Sequence, residues 1–434
     1  MIRISIRLVN TVLLVCFMGS FSILLYGQDT LLLTENSYKN IVIERNYKIL
    51  AARATVEAAN TQVEVNKKDL FPMLDFVGSN RYYDERVTPE GIPTLRQNFY
   101  SFGLRLSQNI YSGGIVQKNK KLAEIYAEQA LAGKEITEND ILYLASITYW
   151  TAVLANEEFQ IWQDYHERFQ DFYKTIEDRV EEAIVSKNEL LTTQVQLNEI
   201  DLQMLQAEKT KEVARLNLKR LAGLPVDGDI TLLDSIFIQE TLPDTINSLE
   251  EAMQIRPEIQ MLQQQVLASE QQEKIAKAKY APSLGVTLGG NYSNGIIDKP
   301  EGDFHYNVLA TATMPIVRWG KLRDEKSMHQ FNTKSLREEL RDQEAGVEYE
   351  IAEAYYNLQQ SLKQLNLSRA AVAEARENLR INFDRYDEGL ASIVEVTEAQ
   401  TFLQNAIVML FNYRTNYKFS QIEYDKALGR LKIF

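Results

Sequence analysis

Cysteine is almost absent, since Cys16 is the only one in 434 residues, and this excludes disulfide staples and thiolate metal sites. Histidine is nearly as scarce: His166, His305 and His329 are the only three, and they do not stand in ligand spacing. A glycine-rich phosphate loop is missing, and no serine or cysteine stands in a recognisable nucleophile motif. The chain therefore offers no catalytic constellation, no metal site and no cofactor cradle, and is read as a non-enzyme. Few and scattered methionines and histidines disfavour metal export. Dense basic clusters are also lacking. With 47 lysines and arginines against 60 acids, the net charge of -13 excludes nucleic acid as a partner. Beyond the first residues no stretch reaches the ~20 consecutive apolar residues of a helical membrane span.

What is present begins with an export signal. Arg3 and Arg7 precede an apolar run from Leu8 to Leu25, and small Gly27 precedes Gln28, so residues 1–27 read as a secretory leader.

The rest of the chain is organised around a repeat. The segment Arg179–Leu197, RVEEAIVSKNELLTTQVQL, recurs 206 residues later as Arg385–Leu403, RYDEGLASIVEVTEAQTFL, with identities that include Arg179/Arg385, Glu182/Glu388, Ser186/Ser392 and Glu189/Glu395. The offset holds from Gly114/Gly320 to Gly223/Gly429; further upstream it becomes 210, pairing Pro72 with Pro282, so four residues separate the copies somewhere between Pro72 and Asn109. The division expected is a first repeat at 28–223, a linker at 224–247 that packs outside the helices, and a second repeat at 248–434.

Within each repeat the hydrophobic period changes twice. Thr34–Leu70 favours a helix pair stopped by Phe71-Pro72. Alternation of period two then predicts strands at about 73–83 and 99–111, and again at about 283–292 and 304–316, the last carrying Met314 and Ile316. Pro89, Gly91 and Pro93 mark a polar turn in the first pair, and Gly295, Pro300 and Gly302 one in the second. Between Gly114 and Gly223 no proline interrupts the chain, so a long helical hairpin is expected, turning near Glu182–Asn188. Its packed stripe is read at Ile141, Leu144, Thr148, Thr151 and Ala155. A second hairpin spans Leu322–Leu428, with Val347, Ile351, Ala354, Leu358, Leu362 and Leu365 as its stripe.

Four amphipathic strands cannot close a barrel, for which ~8 is the usual minimum, and open edges in lipid leave backbone groups unsatisfied. Several chains must contribute strands; three copies give twelve, although the strand count alone does not choose three over two or four. Tyr82, Tyr83, Tyr100, Phe102, Tyr292, Phe304 and Tyr306 near the strand ends suit an aromatic girdle.

This order of helices, strand pair, Gly-Gly or Trp-Gly junction and long hairpin, stated twice, resembles the TolC-type outer-membrane factor (outer membrane efflux protein) family over nearly the whole mature chain. The similarity extends to RPEIQMLQQQVLASEQQEKIAKAKYAPSL, which is like the family's second-repeat opening. The resemblance implies a mainly α fold with a membrane β-barrel part. Three chains would share a twelve-stranded barrel in the outer membrane of a Gram-negative cell, continued by a helical tunnel through the periplasm. It implies a passive exit duct for tripartite efflux or type I secretion. The partners are a homotrimer, outer-membrane lipid, a periplasmic adaptor (membrane fusion) protein and an inner-membrane pump of RND or ABC type. The alternative reading is a soluble periplasmic coiled-coil scaffold or adaptor, which leaves the four strands unexplained.

Site residues follow from the same resemblance. Glu395 and Glu398, three apart on one helix face, are expected to ring the periplasmic aperture, where family members carry aspartates. Tyr386 matches a family tyrosine that latches the closed tip, but the arginine often found two residues after the following glycine is Ala391 here. The turns Ala183-Ile184-Val185-Ser186 and Gly389-Leu390-Ala391-Ser392 match the tips that receive an adaptor hairpin.

Overall fold

The computed structural model describes residues 31–82, 95–235, 248–296 and 302–431. The leader at 1–27, Tyr83, the Pro89–Pro93 turn and Pro300 lie outside the described residues. A short strand β1 (Leu31–Leu33) leads into helices α1 (Glu35–Arg45) and α2 (Tyr47–Lys68). The break between them falls at Asn46, whose side chain caps α2 by accepting from the Lys48 N–H at 3.0 Å. Strands β2 (Met73–Tyr82) and β3 (Leu95–Ser112) follow, then the hairpin of α3 (Ile115–Glu181) and α4 (Lys187–Leu221).

After β4 (Ile230–Leu232) the plan repeats: α5 (Ser248–Ile255), α6 (Pro257–Ala278), β5 (Ser283–Ile296), β6 (Asp303–Thr313), α7 (Lys321–Asp387) and α8 (Ile393–Ala427). The long helices match in length, 67 residues for both α3 and α7 and 35 for both α4 and α8. At 1.5 Å per residue each 67-residue helix extends for about 100 Å, far beyond a hydrocarbon layer of ~30 Å.

The strands form one antiparallel sheet in the order β2-β3-β5-β6, so the two repeats meet at its centre and β2 and β6 are its edges. Registers such as Phe76↔Leu104, Leu106↔Leu288 and Leu288↔Val308 bring apolar residues to one face. That face holds Leu74, Phe76, Phe102, Leu104, Phe304, Tyr306 and Val308, all exposed, and the opposite face carries polar pairs such as Ser79 with Ser101, whose hydroxyls are 2.9 Å apart. A sheet apolar on its outer surface and polar on the other is the pattern of a lipid-facing barrel wall. Strand β6 stops at Thr313, so Met314 and Ile316 fall outside it; Pro315 has no N–H to continue the ladder. Strand β3 instead starts earlier than the alternation suggested, at Leu95, and β5 runs on to Ile296.

The main core lies where the helix pairs meet. Tyr38, Val42 and Ile49 pack on Ile141, Ala145, Tyr149, Ala152 and Val153 of α3 and on Leu218 and Leu221 of α4. Of the expected α3 stripe, Ile141, Thr148 and Ala155 are buried, whereas Leu144 and Thr151 are exposed, because Ala145, Tyr149 and Ala152 turn inward in their place. In the second repeat Val347, Ile351, Ala354, Leu358 and Leu365 are buried as the spacing predicts.

The stretch between the repeats is more than a connector. Its strand β4 pairs in parallel with β1 (Leu31↔Ile230), and Asp234 accepts from the Glu35 N–H at 2.8 Å and the Tyr149 hydroxyl at 2.9 Å.

Candidate functional site

Both hairpins turn by the same device. In the first, the Ala183 N–H bonds to Val180 O and the Ile184 N–H to Arg179 O; in the second, Gly389 bonds to Tyr386 O and Leu390 to Arg385 O. This is the Schellman pattern, which places one residue in the left-handed region just past the helix. Gly389 takes it at φ 74°, and Ala183, its repeat equivalent, at φ 58°. The next helix starts at once, capped by Ser186 and Ser392, each of whose hydroxyls accepts from the N–H three residues on. Glu189 and Glu395 complete reciprocal capping boxes by accepting from the Ser186 and Ser392 N–H groups.

Repeat-equivalent residues are then used differently, and the difference ties the two hairpins together. Arg385 stays local, donating to Leu390 O at 3.3 Å and to the Glu395 carboxylate at 3.4 Å. Its counterpart Arg179 crosses over instead, donating to Asp387 at 2.9 Å and lying 5.9 Å from the centre of the Tyr386 ring. The Tyr386 hydroxyl donates to Glu189 at 2.9 Å. Burial, followed by the bond to the Glu189 carboxylate, pushes this phenol up to about 12, so it remains a donor at any physiological pH.

Beneath these polar links lies a small apolar core. Ile176, Tyr386, Ile393 and Val396 are buried, with Val185 and Ala391 packed against them, and the Phe172 and Phe383 rings meet edge-on at 5.0 Å. Of the eight turn residues, Val185 and Ala391 thus face inward and Ser186 and Ser392 serve as caps. Ile184 and Leu390 project outward, 65% and 66% exposed, as a matched apolar pair at the apices.

Glu395 and Glu398 differ in the same way. The first is engaged in its cap and with Arg385, whereas Glu398 is exposed and makes no hydrogen bond or ion pair among the described residues. Arg179, Glu189 and Asp387 escaped the sequence reading as partners of Tyr386. The available signals were the S-x-x-E spacing at 186–189 and 392–395, which writes a capping box, and the repetition of Arg179 at Arg385. Among the described residues no group of three histidines, cysteines or acids is placed to hold a metal ion.

The comparisons agree with this architecture. The family model described as outer membrane efflux protein matches residues 40–224 and 248–430. Outer membrane protein TolC of Escherichia coli K12 is 21% identical over 408 residues, covering 89% of this chain and 80% of the relative. The fold is shared with the Campylobacter jejuni CmeC outer membrane channel, at TM-score 0.77, 20% identity and 91% and 85% of the two chains. It is shared also with the open state of the Neisseria gonorrhoeae MtrE outer membrane channel, at TM-score 0.76, 18% identity and 92% and 90% coverage. With the family model matched by two tandem segments that together make up most of the chain, the chain belongs to the outer membrane efflux protein family and is an outer-membrane efflux duct that extends into the periplasm.

Proposed function

We propose that three copies of this chain form the duct. Their four-stranded sheets close into one twelve-stranded barrel, and their hairpins form a periplasmic tunnel. The tips dock a periplasmic adaptor of an inner-membrane RND or ABC pump, for efflux or type I secretion. One observation carries the reading: a sheet with an exposed apolar face, whose edges β2 and β6 pair with no other strand among the described residues, sits at one end of helices about 100 Å long. In lipid the unpaired edges are too costly to leave open, and copies of the same chain can pair them in a ring. A soluble scaffold gives neither the face nor the edges a partner.

At the far end, the Tyr386–Glu189 and Arg179–Asp387 links support a closed resting tip in which the two hairpins of one chain are held side by side. Glu395 and Glu398 then line the aperture, and Ile184 and Leu390, with the small residues beside them, meet the adaptor. The deciding experiment is the mass of the detergent-extracted protein from separated membranes, corrected for bound detergent. A trimer in the outer-membrane fraction supports the shared barrel; a monomer released without detergent overturns it.

A further inference from the structure

The duplication supplies an internal ruler for the junction between copies. Inside one chain the repeats meet along β3 and β5, and at the end of that seam Gly113 lies against the α6–β5 junction. A Cβ built on Gly113 would stand 2.5 Å from Ala278 O and 2.6 Å from the Ala281 Cβ, so only glycine fits. The corresponding seam between copies joins β6 to the next copy's β2. Trp319, 206 residues after Gly113, takes the place of that glycine, and Phe71, 210 residues before Ala281, takes the place of that alanine.

Both places carry a pair of residues in the left-handed region just before the long helix. Gly113 and Gly114 have φ of 64° and 74°, Trp319 and Gly320 45° and 79°. A tryptophan held in the left-handed region is strained, and its Cβ leaves the chain where the built Cβ of Gly113 does. Trp319 is 94% exposed and Phe71 64% exposed within the single chain. A small pair inside the chain has thus been exchanged for an aromatic pair with no cover.

We propose that Trp319 packs on Phe71 of the next copy, as an aromatic wedge that sets the seam between subunits. The inference rests on the barrel closure proposed above. It has a geometric corollary: the seam between copies is wider at this point than the seam within a chain, because the Gly113–Ala281 approach has no room even for one methyl group. An aromatic pair restores contact across the wider gap and rewards association rather than folding of the single chain.

The test uses the full-length protein with Cys16→Ser, carrying cysteine pairs treated in membranes with a short thiol-to-thiol cross-linker. The control pair Ala312→Cys with Gly78→Cys reports closure of the barrel, because Leu106↔Leu288 maps onto these two positions across the seam. The wedge pair is Trp319→Cys with Phe71→Cys. Covalent trimers from both pairs, and none from the single cysteines, are the expected result. Linkage of the control pair alone overturns the wedge and leaves the barrel standing. Linkage of neither pair, with a monomeric wild type, removes the barrel and the wedge together. In parallel, Trp319→Ala and Phe71→Ala should each lower the temperature at which trimers survive in dodecyl sulfate, with the double variant no worse than the lower single. Additive losses, or none, overturn the pairing.

Discussion

At the scale of single residues, the tip depends on one phenol and one backbone angle. Tyr386 is pushed up to about 12 from an ordinary value of 10.0, so the folded state prefers its protonated form. That contribution is complete below pH 10 and is lost as the pH climbs from about 10 through 12. Tip opening, read as single-channel conductance, should therefore not respond to this group between pH 6 and 9, by the same linkage. Tyr386→Phe keeps the ring in the apolar cluster and removes only the bond to Glu189, so higher conductance with unchanged trimer stability is expected; unchanged conductance would mean the bond does not restrain the tip. The two turns offer a paired experiment. Ala183→Gly should stabilise the first turn by about 1 kcal/mol and Gly389→Ala should cost the second about as much, read by hydrogen exchange at the tip amides. Apart from its chain neighbours, no residue comes within 4 Å of a Cβ added at Gly389, so the cost there lies in the backbone conformation and not in packing. Tyr386 could be singled out in the sequence, but its partners could not: Glu189 is 197 residues away, and nothing in the pattern says that Arg179 crosses to Asp387 while Arg385 stays at home.

At the scale of elements, long periodic and proline-free segments declare themselves, and short ones do not. The hairpins and amphipathic strands were legible because each repeats a period over many residues. The pairing of β1 with β4 was not, since three residues carry no period and their partner is fixed only by the tertiary fold. Asp234 helps bind this small sheet to the helices, accepting the Glu35 N–H in the first turn of α1 together with the Tyr149 hydroxyl. Tyr149 keeps a second acceptor in Leu33 O at 2.9 Å, whereas the Glu35 N–H is left unpaired by Asp234→Ala. A loss of about 1–3 kcal/mol is therefore expected, seen as a lower melting temperature of the detergent-solubilised protein with conductance unaltered. A loss of conductance as well would mean that the β1–β4 sheet transmits strain to the tip.

At the scale of the whole molecule, the sheet and the tips stand at opposite ends of helices about 100 Å long. Direct electrostatic influence between the ends is negligible when charges are screened over about 10 Å at 0.1 M salt. Ion selectivity set at the aperture should therefore depend on tip carboxylates alone, and the two candidates are not equivalent. Glu395 has one oxygen on the Ser392 N–H and the other on Arg385, so its charge is largely answered within its own chain. Glu398 is exposed and, among the described residues, without such partners; the proposed trimer would set three of these carboxylates facing one another across the opening. Glu398→Gln should reduce cation selectivity and weaken block by divalent cations, most clearly at low ionic strength, while Glu395→Gln should act mainly by loosening the cap of α8. Reversal potentials in asymmetric salt measure the first effect, and hydrogen exchange at Ser392–Glu395 the second. Equal loss of selectivity from both variants would mean that Glu395 leaves its cap in the assembled channel and joins the ring, because a carboxylate held by Arg385 and by the Ser392 N–H and hydroxyl has little field left to lend a passing ion.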